Sequence, residues 1–393
     1  MRVVSYLYGG CIPDMRGHAP AIVAQYLTQN LRLATSYTVC DAELFRPGIE
    51  IHPVYGYINR IRQGNVYRRL FTKMTRLDPY PLCQRAAKIV NSVEADIFHS
   101  HQLEFPFKKF SQHIRNKRLI TLAHIHVFRS FKPELGIADR YVAVSDYAKR
   151  TICGKRGFPE ELVEVIHNGV DTQLFCPLPP EDKLHLRQAL GIPGHAIVIS
   201  YVGMKVAIKG YLAFLESAKH LLNKYDSVYA VAAGRTPQAA LREEDYLRIT
   251  RLYNELQRHP RFFNFSLLAH NKLKSIYQIS DIVSFLTYAS DETFGLVAVE
   301  AQACGCVLLA SNHNALCELV KDRQTGFIVN EPRNIDAIIE QSEYIVEHLP
   351  DLDIIRQQAR ESAIKRFDWR IAAEKLEKLY FELYRQKSRC SEI

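Results

Sequence analysis

Short apolar runs alternate with longer stretches of helical period along the 393 residues. In the first half the runs 3–8, 97–100, 119–124, 141–144 and 163–166 read as strands; in the second half 197–202, 228–233, 262–267, 282–285 and 307–310 do. Strands buried on both faces by intervening helices lose the polar alternation of a one-sided sheet, so this pattern predicts parallel-sheet α/β architecture. The two groups of strands are separated by the polar segment 171–193, which contains Pro177, Pro179 and Pro180 and reads as a linker. Two domains follow, 1–172 and 194–369, and the chain length agrees, since single cores rarely grow past about 300 residues. A closing amphipathic helix, 370–387, sets Ile371, Leu376, Leu379, Tyr380 and Leu383 at helical spacing and is expected to join the N-terminal domain.

Composition changes this picture little: 47% apolar and 24% charged residues are ordinary for a globular protein. The first ten residues lack the basic leader and cleavage site of a signal peptide, and no apolar run reaches the ~18 residues that span a bilayer. A cytoplasmic protein with at most peripheral membrane contact is expected. The nine cysteines have no zinc-finger spacing, and Cys304 and Cys306 read as buried reduced thiols.

Charge is more informative. The net +9 is concentrated in the N-terminal half, where thirteen Lys and Arg between 51 and 120 face only Asp78, Glu94, Asp96 and Glu104. Tyr55, Tyr57, Tyr67, Phe71, Phe107 and Phe110 are interleaved with them. A polybasic, aromatic surface suits an anionic inner-membrane face. No nucleic-acid motif accompanies the charge, and nucleic acid is not expected as a partner.

Candidate chemistry centres on Glu292-Thr-Phe-Gly-Leu-Val-Ala-Val-Glu300, which follows a predicted strand and opens a predicted helix. Unpaired N–H groups of Phe294, Gly295 and Leu296 at a helix start form an anion site that suits a nucleotide diphosphate, and Gly295 permits close approach. Glu300 would then lie beside the group that follows the phosphates, a ribose whose hydroxyls a carboxylate accepts, with Glu292 toward the donor sugar. Near the N-terminus, Tyr8-Gly9-Gly10 ends the first strand and Arg16-Gly17-His18 precedes a predicted helix, 19–31, a glycine-rich turn where backbone can approach a ligand. His124 and His126 close the strand 119–126 at the carboxyl edge where open α/β sheets place ligands. His124 reads as a packed core residue and His126 as the functional one.

The run Ser290-Asp-Glu-Thr-Phe-Gly-Leu-Val-Ala-Val-Glu-Ala-Gln-Ala-Cys-Gly305 resembles the signature of the retaining GT-B glycosyltransferases of family GT4. Val144-Ser-Asp-Tyr-Ala-Lys149, Ile166-His-Asn-Gly-Val-Asp171, Lys209-Gly210 and Thr325-Gly-Phe327 match the same family in order. The resemblance implies a GT-B fold, two Rossmann-like domains facing each other across a cleft, with acceptor bound by the first and nucleotide sugar by the second. It implies catalytic roles for His126, Glu292 and Lys209, the last gripping the donor diphosphate, and donor contacts from Gly17, Lys209, Phe294, Gly295, Leu296 and Glu300. Met204 stands where the family usually has arginine as a second cation; Lys205 is the candidate replacement. No metal and no cofactor are expected, the UDP-sugar being a substrate.

A closer resemblance, to the α-1,2-N-acetylglucosaminyltransferases of the enterobacterial lipopolysaccharide core, rests on the segments 67–81, 124–126 and 131–135. It implies a lipid-linked oligosaccharide acceptor and transfer of N-acetylglucosamine or a hexose. Two other readings remain at this stage: another GT4 acceptor, or a non-catalytic sugar-nucleotide-binding protein. A UDP-GlcNAc 2-epimerase, which needs no acceptor, is the rival enzyme.

Overall fold

The computed structural model describes residues 1–13, 18–41, 48–62, 66–76, 81–101, 105–128, 137–236 and 243–389. Gly17 and the segments 77–80 and 131–135 lie outside them. The chain divides into two compact units: Met1–Asn168 together with Trp369–Ile393, and Gly169–Asp368.

The first unit holds an eight-stranded sheet of β1 (Arg2–Tyr6), β2 (Thr35–Asp41), β3 (Gly48–His52), β4 (Gly56–Ile61), β5 (Ile97–Ser100), β6 (Ile120–Ile125), β7 (Arg140–Ala143) and β8 (Val163–Val165). Their order is β3-β4-β2-β1-β5-β6-β7-β8, and every pairing is parallel except the edge hairpin β3–β4. The second unit holds β9 (Ile197–Val202), β10 (Val228–Ala233), β11 (Phe262–Phe265), β12 (Ile282–Phe285), β13 (Val307–Ser311) and β14 (Phe327–Val329) in the order β11-β10-β9-β12-β13-β14, all parallel. This is the doubly wound Rossmann order, and β9 and β12 flank the point where the winding reverses. Ligands of such sheets bind outside the carboxyl ends of the strands at that reversal.

Four strands are absent from the sequence reading. β2 and β4 escape it because Thr38, Asn59 and Arg60 are buried polar residues in them, and the edge strand β3 carries Glu50, which ion-pairs with Arg60 across the hairpin. β14 has three residues and no period to detect. The segment 171–193 also differs from the linker its prolines suggest. It carries the helix Pro180–Gln188, whose Arg187 donates to Asp281 Oδ2 at 2.6 Å and to the carbonyl of Ile279, anchoring it within the second unit. Proline at the first turn of a helix is tolerated because that N–H has no partner anyway.

The last helix, Trp369–Arg389, belongs to the first unit. Trp369 stacks on Tyr26 with ring centroids 5.5 Å apart, and buried Glu377 Oε1 accepts from the N–H groups of Arg32, Leu33 and Ala34. Those three donors follow the helix Ala19–Asn30 and would otherwise be left without an acceptor.

Candidate active site

The geometry at the reversal of the second sheet follows from two loops. After β9 the chain runs through Gly203 and Met204 to a turn of 3₁₀ helix, Ala207–Lys209; after β12 it runs through Thr287–Asp291 to Glu292. Ile208 ties them together, its carbonyl accepting from Tyr288 N at 2.9 Å and from Thr287 Oγ1 at 3.2 Å. The second loop is held from beneath by Ser311 Oγ, which donates to the Thr287 carbonyl at 2.5 Å, and by Asn314 Nδ2, which donates to the Ala289 carbonyl at 3.0 Å. Stitched in this way, Lys209 Nζ donates to Glu292 Oε2 at 2.9 Å, with side-chain exposures of 26% and 15%. Residues 83 apart in sequence thus form a half-buried ion pair where the fold places ligands.

Beside this pair begins the helix Leu296–Ala303. Gly295 precedes it with φ 109°, and a Cβ there would stand 2.7 Å from Leu316 Cδ2 and 3.1 Å from Phe285 Cε1. No other residue meets both demands, since L side chains rarely adopt that backbone and the space is already filled. Phe294 is buried with its ring against Phe367, 5.9 Å between centroids, so its side chain anchors the turn while its backbone lies at the helix start. Leu296 and Val297 occupy the first turn, where N–H groups lack partners within the helix and the dipole is positive.

Glu300, one turn further, is 4% exposed. Tyr277 OH donates to its Oε2 at 2.6 Å, and His270 Nε2 meets its Oε1 at 2.7 Å. Each carboxylate oxygen has a second lone pair, so two further donors can still be accepted. Burial and the neighbouring carboxylate together hold the Tyr277 phenol well above its ordinary pKa, so it stays a donor. Neither partner of Glu300 was legible in the sequence, because both come from the separate helix His270–Ile279.

Tyr201, on β9, is another residue missed. Its hydroxyl donates to the carbonyl of Met204 at 2.6 Å and lies 3.3 Å from that of Lys209, so it shapes the loop that presents the lysine. Lys205 has a different position from Lys209. Its ammonium donates to Asn264 Oδ1 and the Phe265 carbonyl, both at 2.7 Å, at the end of β11, and burial pushes its pKa down to about 8. Met204 is partly exposed.

His126 lies in the first unit, just past β6, buried beside His124, whose ring centroid is 4.4 Å away. Burial, with His101 and His18 nearby, lowers its pKa well below the ordinary value, so the ring is neutral. Cys304 and Cys306 are free thiols; burial pushes Cys306 up to about 12, and its Sγ–H donates to the Tyr277 carbonyl at 3.2 Å.

Other matched motifs serve the fold. Ser145 Oγ accepts from Ala148 N and caps the helix Asp146–Arg156. Asp171 Oδ1 accepts from Gln173 N and Leu174 N. Gln302 Nε2 donates to the carbonyl of Thr325, which holds the Thr325-Gly-Phe327 turn.

Two parallel α/β units, each wound about a reversal point, and a cation–carboxylate pair before a glycine-led helix define a glycosyltransferase of the GT-B class. Residues 182–363 match the family model Glycosyl transferases group 1 and residues 21–174 match Glycosyltransferase Family 4. Together these matches span most of the chain and mark it as a glycosyltransferase. The lipopolysaccharide 1,2-N-acetylglucosaminetransferase of Salmonella typhimurium is 28% identical over 343 residues, 83% of this chain and 85% of that protein. D-inositol 3-phosphate glycosyltransferase of Corynebacterium diphtheriae is 33% identical over 226 residues, 56% of this chain and half of that protein. A glycosyltransferase from Rickettsia africae superposes with TM-score 0.75 at 19% identity, covering 97% of this chain and 98% of that one. Anabaena HepE in complex with UDP-glucose superposes at 0.74 with 18% identity, covering 97% and 100%.

Proposed function

We propose that the protein is a retaining transferase that moves N-acetylglucosamine or a hexose from its UDP derivative to a hexose of the lipopolysaccharide core oligosaccharide. The observation that carries this reading is the Lys209–Glu292 pair at the sheet reversal, beside the Gly295-led helix. The similarity to the Salmonella enzyme, which spans most of both chains, supports the acceptor class; the UDP-glucose held by HepE, a protein of the same fold, agrees with the donor class.

In this reading the diphosphate lies on the N–H groups of Phe294, Gly295 and Leu296 at the helix start and on Lys209, which turns from Glu292 toward phosphate. Glu292, released, accepts from the donor sugar, and Glu300 accepts from the ribose with the lone pairs that Tyr277 and His270 leave. The bond from the anomeric carbon to the phosphate oxygen breaks, the bond to the acceptor oxygen forms, and the acceptor's proton leaves with UDP. Fixed dipoles and one cation stabilise the departing charge, and no metal is needed for that step.

A peripheral, inner-leaflet location accompanies this acceptor. Among the described residues no helix is long and apolar enough to cross a membrane. The helix Val66–Thr75 instead exposes Val66, Tyr67, Leu70 and Met74 in a basic segment, the chemistry of an interfacial anchor. The test is a donor screen against truncated lipopolysaccharide acceptors, with linkage analysis of the product. Acceptor-dependent release of UDP is expected. Conversion of UDP-GlcNAc without acceptor would mean an epimerase, and ligand-induced stabilisation without turnover would mean a binding protein.

A further inference from the structure

Four histidines meet at the carboxyl ends of β5 and β6 in the first unit. His99 lies on β5 and His101 just beyond it; His124 lies on β6 and His126 just beyond it. Residues two apart on a strand share a face, so each strand end delivers a pair to the same side. All four are buried. The rings of His99 and His124 are 5.2 Å apart and nearly parallel, and His101 lies 4.7 Å from His99 and 5.2 Å from His124.

Their hydrogen bonds are incomplete in a particular way. His99 Nδ1 meets Tyr380 OH at 2.6 Å, and His101 Nδ1 meets His126 Nε2 at 3.3 Å. His99 Nε2 and both nitrogens of His124 are buried without a partner among the described residues. Three orphaned ring nitrogens would each cost about 1–3 kcal/mol in a finished core. Neutral imidazole is the form in which histidine ligates metal, and the orphaned nitrogens lack the partner that an ion would supply.

One ring nitrogen from each of His99, His101 and His124 lies within 4.8 Å of the others. At Zn–N distances of about 2.0–2.1 Å, tetrahedral ligands stand roughly 3.4 Å apart. Small rotations of the rings close that gap.

We propose that His99, His101 and His124 bind a divalent first-row transition ion, zinc being the first candidate. Three imidazoles match that class, where hard ions such as Mg²⁺ take oxygen. Ligating histidines fix their orientation by donating the other ring N–H to a neighbour, and two of the three have one here. His99 has Tyr380 for this, and His101 has His126. Bound there, the ion ties the ends of β5 and β6 together and orients His126 through His101. Three protein ligands leave a fourth position for solvent or a substrate atom. The inference is independent of the diphosphate reading, whose residues all lie in the second unit.

The full-length protein, freed of metal by chelator and dialysed, is titrated with ZnCl₂ by calorimetry and with CoCl₂ by visible absorption. One equivalent is expected, with the intense d–d bands of four-coordinate Co²⁺. His124→Ala should weaken binding by more than 100-fold, and Tyr380→Phe, which keeps the ring, by ~10–100-fold. His185→Ala, on the exposed face of Pro180–Gln188, should bind like the wild type. Absence of stoichiometric binding by the wild type overturns the site, as does equal affinity in a folded Tyr380→Phe variant together with octahedral Co²⁺ spectra.

Discussion

Lys209 and Glu292 hold each other at 2.9 Å in a half-buried setting, and the proposed donor takes the place of one partner for the other. Lys209→Ala should lower kcat by about 10²–10³ while leaving the melting temperature within a few degrees, because the lost cation acts on leaving-group charge. Glu292→Ala should do the same, and steady-state kinetics with UDP release as readout checks both. Near-normal turnover in either would remove that residue from the chemistry. Lys205 makes a different prediction. Its folded pKa of about 8 lies below the ordinary lysine value of 10.5, so between those values the unfolded chain carries the extra proton and stability rises with pH. Below about pH 8 the cost of burying the charge is fully present. Thermal unfolding of the wild type relative to Lys205→Met should therefore improve from pH 8 to pH 10; a flat difference would mean an ordinary lysine.

The helix Leu296–Ala303 shows how one element combines fold and site. Its start depends on Gly295 in a conformation open to glycine alone, its interior buries Glu300 between Tyr277 and His270, and its end lets Gln302 fix the Thr325 turn. Gly295→Ala adds a strained backbone, about 1–3 kcal/mol, and an overpacked methyl group, about 1–3 kcal/mol more. Calorimetry should show the melting temperature of the second unit reduced by roughly 5 °C or more, at 2–4 °C for each kcal/mol. An unchanged transition would mean that the loop repacks. This element was legible in the sequence because its signals are local: a strand end, a glycine, then an apolar helical run. β2 and β4 were not, since buried Thr38, Asn59 and Arg60 read as surface residues until their neighbours in the sheet are known.

At the scale of the molecule, the chain leaves the first unit after Asn168, builds the second, and returns at Trp369. Val170 N donates to the Phe367 carbonyl at 2.6 Å, so the outgoing segment is tied to the end of the helix Asp353–Phe367 just before the return. All proposed diphosphate contacts lie in the second unit, and UDP at 100 times its Kd should stabilise that unit by about 2.7 kcal/mol. Scanning calorimetry with and without UDP checks this; a shift confined to the first unit's transition would contradict the assignment. The sequence by itself determined the parallel α/β class, the existence of two groups of strands and the glycine-led helix, because periodicity and turn chemistry act over a few residues. Only the tertiary structure decided that Lys209 meets Glu292, that Tyr277 and His270 hold Glu300, that 180–188 packs as a helix on Asp281, and that four histidines from two strands share one buried stack. Those partners are brought together by the order of strands in a sheet, and strand order is set by packing across the whole unit and leaves no local trace in the chain.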